Sequence, residues 1–305
     1  MSNIAGVPSS GRSKIVILLL LLMVAAGVFI ACKYMKPGPP NISFAPYGDP
    51  YSSKTDFAQV EYQFPLTTEQ RMSLTPQTIQ KFNQEQVDQI YARLTAGPIP
   101  DGPHDGDLFF PKGITGRARL AEIVGKVKGV AASLELEKLT ILGGALWKGK
   151  VFYRNERVLR NRIDHLELLA EFFPNPAEEA KVRELSVNGK TDQLYFPAKL
   201  YCGQSLMDSR RESIIIDYAF TDEIDGYHEI PDKLAGREGL LIRDEVRMVR
   251  PGFYLGRAYM GESFLLNFTV YNDAAAKAGS DEFTKTGKPA SEDCWVGQQK
   301  IAASQ

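Results

Sequence analysis

Two charged residues inside otherwise apolar, strand-like stretches carry the strongest chemical signal in this chain. In Ile242-Arg243-Asp244-Glu245-Val246-Arg247-Met248, a two-residue alternation places Ile242, Asp244, Val246 and Met248 on one face and Arg243, Glu245 and Arg247 on the other. Beyond the Arg250-Pro251-Gly252 reversal, Phe253, Leu255, Arg257 and Tyr259 share a face, so Arg257 stands among aromatics. A lone buried charge is costly, and an inward Asp244 and an inward Arg257 must pair with each other or with a ligand. The functional reading is a polar anchor at the base of an apolar pocket, suited to the head of an amphipathic molecule. The structural reading is a barrel-closing ion pair, or charges facing outward on a two-sided sheet.

Catalytic signals are weak by comparison. His104, His165 and His228 are the only histidines and none is spaced i, i+4 from another, so no histidine-based metal site is expected. Ser205 sits in Gly203-Gln204-Ser205-Leu206-Met207, where Met207 replaces the second glycine of a nucleophile elbow, and no parallel α/β pattern surrounds it. The acidic run from Asp222 to Glu229 lacks the calcium-loop spacing and reads as a solvated hairpin loop. No Walker loop or Gly-x-Gly-x-x-Gly occurs, and neither a cofactor nor a catalytic residue is assigned. A carboxylate base, Asp244 or Asp217, is the one enzymatic alternative kept. With 36 Lys+Arg against 37 Asp+Glu, the net charge of −1 gives no basis for nucleic-acid binding.

The elements that must position these residues begin with a membrane-length segment. Residues 15–32 form eighteen uncharged positions flanked by Arg12, Lys14, Lys33 and Lys36, and at about 1.5 Å rise they extend roughly 27 Å, close to a bilayer core. The same run fits a signal anchor, or a lipoprotein-type signal in which Ala31-Cys32 marks a lipidated Cys32. The expected order is a tail at 1–14, the anchor or signal at 15–33, a Pro-rich extended linker at 34–65, a helical segment at 66–145, an antiparallel barrel at 146–272 and a loosely ordered tail at 273–305. The large portion is placed outside the cytoplasm, most simply in a periplasm. There Cys202 and Cys294 form either one disulfide or two unpaired structural cysteines.

Within the helical segment, Thr75-Pro76 caps a helix running through residues 77–94. Three prolines and three glycines in Gly97-Pro98-Ile99-Pro100-Asp101-Gly102-Pro103-His104-Asp105-Gly106 predict an irregular loop. Apolar spacing from 117 to 142 fits one or two helices. From Trp147 the period becomes two, with strands expected at 150–153, 158–163, 193–201, 212–220, 241–249, 253–260 and 264–271. Val187-Asn188-Gly189-Lys190 is a type I′ hairpin signal. Seven such strands describe a meander that curls on itself.

The proline-glycine stretch at 97–106, followed by Leu146-Trp147-Lys148-Gly149-Lys150-Val151-Phe152, resembles the layout of small bacterial proteins with a Gly-x-Trp-x-Gly motif. The hairpin Arg243-Asp244-Glu245-Val246-Arg247 with Pro251-Gly252-Phe253-Tyr254-Leu255-Gly256-Arg257 is similar to the late hairpin of the same barrels. The resemblance covers residues 97–272 and implies a lipocalin-like barrel. The expected fold is therefore α+β: an N-terminal transmembrane helix, a helical segment and an antiparallel lipocalin-like β-barrel. The expected function is binding of a lipid or other hydrophobic small molecule. Trp147, Phe196, Tyr218, Phe253 and Tyr259 would line the cavity, and Lys199, Asp217, Asp244 and Arg257 would supply its polar contacts. The competing class is a structural or interaction protein whose barrel is filled by its own side chains.

Overall fold

A computed structural model describes residues 38–46, 55–112, 146–164, 182–187 and 189–297. The anchor at 15–33 with Cys32, the helices expected between 117 and 142, His165 and Asn188 lie outside the described residues. Among the described residues no helix is long and apolar enough to cross a membrane.

Nine strands are described: β1 (Gly102–Phe109), β2 (Trp147–Tyr153), β3 (Val158–Ile163), β4 (Arg183–Val187), β5 (Lys190–Gln204), β6 (Glu212–Asp217), β7 (Ile242–Arg250), β8 (Phe253–Met260) and β9 (Ser263–Tyr271). All pair antiparallel in the order β3-β2-β1-β9-β8-β7-β6-β5, and an additional β3–β5 pairing closes the ring into an eight-stranded barrel. β4 hangs outside the ring on the first residues of β5. Each of the seven strands expected from alternation is present. Closure depends on β1, which pairs with β2 through Gly102 to Asp105 and with β9 through Asp105 to Phe109.

β1 corrects the expectation of an irregular loop at 97–106 and of a purely helical segment at 66–145. Pro103 is tolerated because this end of β1 pairs on one side only, with β2. Its carbonyl accepts a hydrogen bond from Asn272 Nδ2 at 2.9 Å. The Trp147 indole lies directly over Gly106, where a Cβ would stand 2.3 Å from the ring. Gly149, at φ +133°, lets β2 pass so close to His104 O that any side chain would collide with it.

Among the described residues four helices precede β1: α1 (Phe57–Gln63), α2 (Thr68–Ser73), α3 (Pro76–Ile79) and α4 (Gln84–Ala92). α1 lies inside the stretch expected to be extended. The single helix expected over 77–94 is two, because Asn83 caps a new start with its side chain accepting from Gln86 N at 2.9 Å. The β6–β7 connection holds the short α5 (Glu229–Asp232). α6 (Asp273–Thr286) corrects the expectation of a loose tail: Asn272 accepts from Ala275 N at 2.8 Å, and Gly287 ends the helix in the left-handed region.

Two large apolar cores result among the described residues, beside a small cluster around Ile163 and Tyr195. The bore is lined by residues including Phe152, Leu159, Ala198, Ile216, Val246 and Phe268. The second core lies outside the wall, where Leu74, Ile79, Val87, Ile90 and Leu94 from the helices meet Val249, Phe253 and Leu255.

Candidate functional site

Strand alternation brings three of the expected ligand-binding residues, Trp147, Tyr218 and Asp244, to one place in the bore. The residue that joins them is Lys150. Its Nζ donates to Asn161 Oδ1 at 2.9 Å, Tyr218 OH at 2.6 Å and Asp244 Oδ2 at 3.0 Å. Tyr218 OH donates in turn to Asp244 Oδ2 at 3.3 Å and accepts from Asn161 Nδ2 at 3.0 Å. Trp147 Nε1 donates to Asn161 Oδ1 at 2.9 Å, and the other Asn161 amide hydrogen goes to Phe196 O. The Trp147, Tyr218 and Phe268 rings stand 5.2–5.5 Å from the ammonium.

An ammonium has three donors, and here all three are used. Lys150 is 2% exposed and Asp244 4%. Burial pushes the Lys150 amine down and the Asp244 carboxyl up, while their mutual attraction opposes both shifts. The Tyr218 phenol is raised well above its usual range by burial and by Asp244. The cluster is therefore a closed polar knot in an apolar bore, with the acceptors around Lys150 matched to its donors. Asp244 as a general base would first have to leave Lys150 and Tyr218.

Arg257 is not part of this knot. In the β7–β8 register Asp244 faces Ala258, whereas Arg257 faces Glu245. Asp244 and Arg257 therefore point to opposite sides of the wall, which corrects the expectation of a shared inward position. Arg257 is buried outside the barrel, under α4. Its Nη1 donates to Asp88 Oδ1 at 2.5 Å and its Nε to Tyr259 OH at 3.0 Å, and the Phe264 ring lies 4.2 Å away. Burial opposes its charge, but Tyr259 and Asp88 hold its pKa above the ordinary value. Phe253 and Tyr259 lie on this same outer face, Phe253 within the second core, and so not in the bore.

Lys199 and Asp217 are also outside. Lys199 pairs with Glu223 at 2.5 Å, and Asp217 accepts from Tyr201 OH at 2.6 Å. Asp217 belongs to the wall of an open hollow of about 350 Å³ at the end of the barrel where β6 leaves and β7 enters. Leu206, Leu241 and Ile242 are its apolar contributors, and the first two are exposed.

Cys202 and Cys294 are joined by a disulfide, with Cα atoms 5.3 Å apart, which clips the segment after α6 onto β5. Glu212 stands beside them, but the sulfurs are committed to each other.

Lys150 and Asn161 were the residues that sequence reasoning missed. Their signal was present: Lys150 alternates in phase with Phe152, and Asn161 with Leu159 and Ile163. A lysine in such a strand is ordinarily read as solvent-facing, and only the partners across the bore reveal otherwise. Comparison of the chain with protein-family profiles, curated proteins and solved structures finds no match.

Proposed function

We propose that this chain is a membrane-tethered, extracytoplasmic binding protein whose barrel is a scaffold filled by its own side chains, with recognition carried on its outside. A closed β-barrel is consistent with a binding-protein fold. The observation that carries the reading is the Lys150 knot, which consumes the polar groups that would have greeted a ligand in the bore. The uncharged run at 15–32 supports the tether. The Cys202–Cys294 disulfide supports an oxidising compartment. Likeness to lipocalin-like barrels belongs to the same proposal, and the packing of Trp147 against Gly106 supports it.

Native mass spectrometry on the full-length chain, released gently from mild detergent, should give the mass of bare protein. A stoichiometric co-purifying lipid whose loss follows from Phe268→Trp, a substitution inside the bore, would overturn the filled-scaffold reading. Alkaline carbonate should leave the full-length chain in the membrane pellet, and recovery in the supernatant would remove the tether.

A second reading keeps the hydrophobic small molecule but moves it to the open hollow beside Leu206, Leu241 and Ile242. Displacement of a fluorescent fatty acid that is lost in Leu241→Glu would support it, and unchanged displacement in that variant would exclude this hollow.

A further inference from the structure

Beside the outer core, α1, α2, the end of α4, the β5–β6 connection and the segment after α6 surround a hollow of about 400 Å³. Its charged lining is Arg71, Arg93, Arg211, Lys288, Glu61 and Glu292. Arg71 donates Nε to Val249 O at 2.7 Å and Nη2 to Met248 O at 3.1 Å. Arg93 donates Nε to Gln89 O and Nη1 to Ser43 O and Phe64 O. These contacts are all to neutral carbonyls, which satisfy hydrogen-bonding capacity without cancelling charge.

The two carboxylates are already engaged. Glu61 Oε2 is shared between Arg210 Nη1 at 2.8 Å and Arg211 Nη2 at 2.5 Å. Glu292 accepts from Thr95 Oγ1 and from Gly97 N. Four cationic side chains against two carboxylates leave two positive charges uncompensated in the lining. Arg93 is 7% exposed and Arg211 3%, yet Arg93 Nη2 and Arg211 Nε are buried donors with no hydrogen-bond partner among the described residues. An unpaired buried charged donor costs more than a neutral one, so these two donors leave the positive charge of Arg93 and Arg211 less compensated than that of a fully bonded guanidinium. Burial holds the guanidinium groups of Arg71 and Arg93 down to about 10, with Glu292 and Glu61 only partly opposing it.

The other lining residues include Pro65, Leu66, Pro289 and Val296, which offer an apolar surface. We propose that this hollow binds a phosphomonoester, with the phosphate drawn to Arg93, Arg211, Arg71 and Lys288 and its organic portion lying on Pro65, Leu66, Pro289 and Val296. A dianion matches the two uncompensated charges, and planar guanidinium groups suit phosphate oxygens. The volume falls in the small-molecule range. The same chemistry is presented by a soluble sugar or glycerol phosphate and by the headgroup of phosphatidic acid. The site stands apart from the filled-barrel reading: a lipid found in the bore would defeat that reading and leave this one untouched.

Full-length protein in uncharged detergent, titrated calorimetrically with glycerol 3-phosphate and separately with detergent-solubilised phosphatidic acid, tests the site. Saturable binding is expected, weakened about tenfold in Arg211→Gln and in Lys288→Gln, and weaker at high salt than at low salt. Binding of glycerol 3-phosphate assigns a soluble ligand, and binding of phosphatidic acid alone assigns a headgroup. Because Arg211 also holds Glu61, the exposed Lys288 at the rim is the variant that leaves the fold intact. No saturable heat from either ligand at millimolar concentration, or binding unchanged in both variants, overturns the proposal.

Discussion

The bore of the barrel and the hollow beside the helices treat buried positive charge in opposite ways. In the bore, Lys150 gives each of its three donors to an acceptor and faces a carboxylate in Asp244. In the hollow, Arg93 Nη2 and Arg211 Nε have no acceptor among the described residues, Glu61 is shared between Arg210 and Arg211, and Glu292 is spent on Thr95 and Gly97. The two regions are of similar chemistry, and what separates them is completeness. A satisfied knot fixes the geometry of a closed interior, whereas an unsatisfied one leaves electrostatic capacity for something the chain does not contain. The residues most conspicuous in the strand pattern therefore serve the scaffold, and the region with unused capacity is assembled from helix ends and connections.

The largest effect is expected from breaking the bore. Asp244→Ala strands the Lys150 ammonium in an apolar interior and should cost about 3–5 kcal/mol, a fall of about 10 °C in Tm by thermal denaturation. Pairing it with Lys150→Met should recover most of that loss. A double variant no more stable than Asp244→Ala would mean that the knot is more than a satisfied ion pair.

Removing the Cys202–Cys294 bridge by paired serine substitution should come next, at about 2–4 kcal/mol from the longer unfolded-state loop. The same change frees the segment that carries Pro289, Glu292 and Val296, so phosphomonoester affinity should fall more than bore packing changes. Loss of stability with unchanged affinity would separate the hollow from its clip.

Acid offers a third comparison. His104 is buried in the bore between Phe152 and Tyr254, and burial lowers its pKa to about 4 from an ordinary value near 6.5. The unfolded chain therefore takes up this proton first as pH falls. Stability from His104 is fully present above pH 6.5 and is lost on the way down to pH 4, on the order of 3 kcal/mol in all. Comparing Tm between pH 7 and pH 4.5 in the parent and in His104→Gln should show a smaller acid loss in the variant. Equal losses would mean that His104 contributes nothing to the acid sensitivity.

The smallest effect on stability is expected from Lys288→Gln, within about 0.5 kcal/mol because the side chain is exposed, despite its effect on anion binding. A large fall in Tm would show that Lys288 is structural.

Much of the barrel was legible in the chain. Period-two alternation found both the 158–163 and 253–260 strands at their observed ends, since each strand has one face against the bore and one against a different environment. β1 was not legible, because Gly102-Pro103-His104-Asp105-Gly106-Asp107 has turn composition. Its strand conformation comes from β2 and β9 on either side, and its need for glycine at 106 from the Trp147 indole and the Gly149 backbone that lie against it. α6 was under-read for a related reason, as its short polar and alanine-rich sequence carries little apolar periodicity and its caps decide where it starts and stops.

The alternation in residues 242–260 was enough to put Asp244 and Arg257 on defined faces of their own strands. It could not say which face was inward, because a register shift of one residue across the β7–β8 pairing exchanges the two sides. Composition and hydropathy alone likewise gave the two-cysteine possibility and the uncharged run near the start. Only the tertiary structure chose Lys150 for Asp244 and Asp88 for Arg257, joined residues 92 positions apart through sulfur, and gathered cations from distant segments around one hollow. Local sequence sets what a residue prefers, but which charges meet is a matter of long-range closure, and no short-range pattern encodes it.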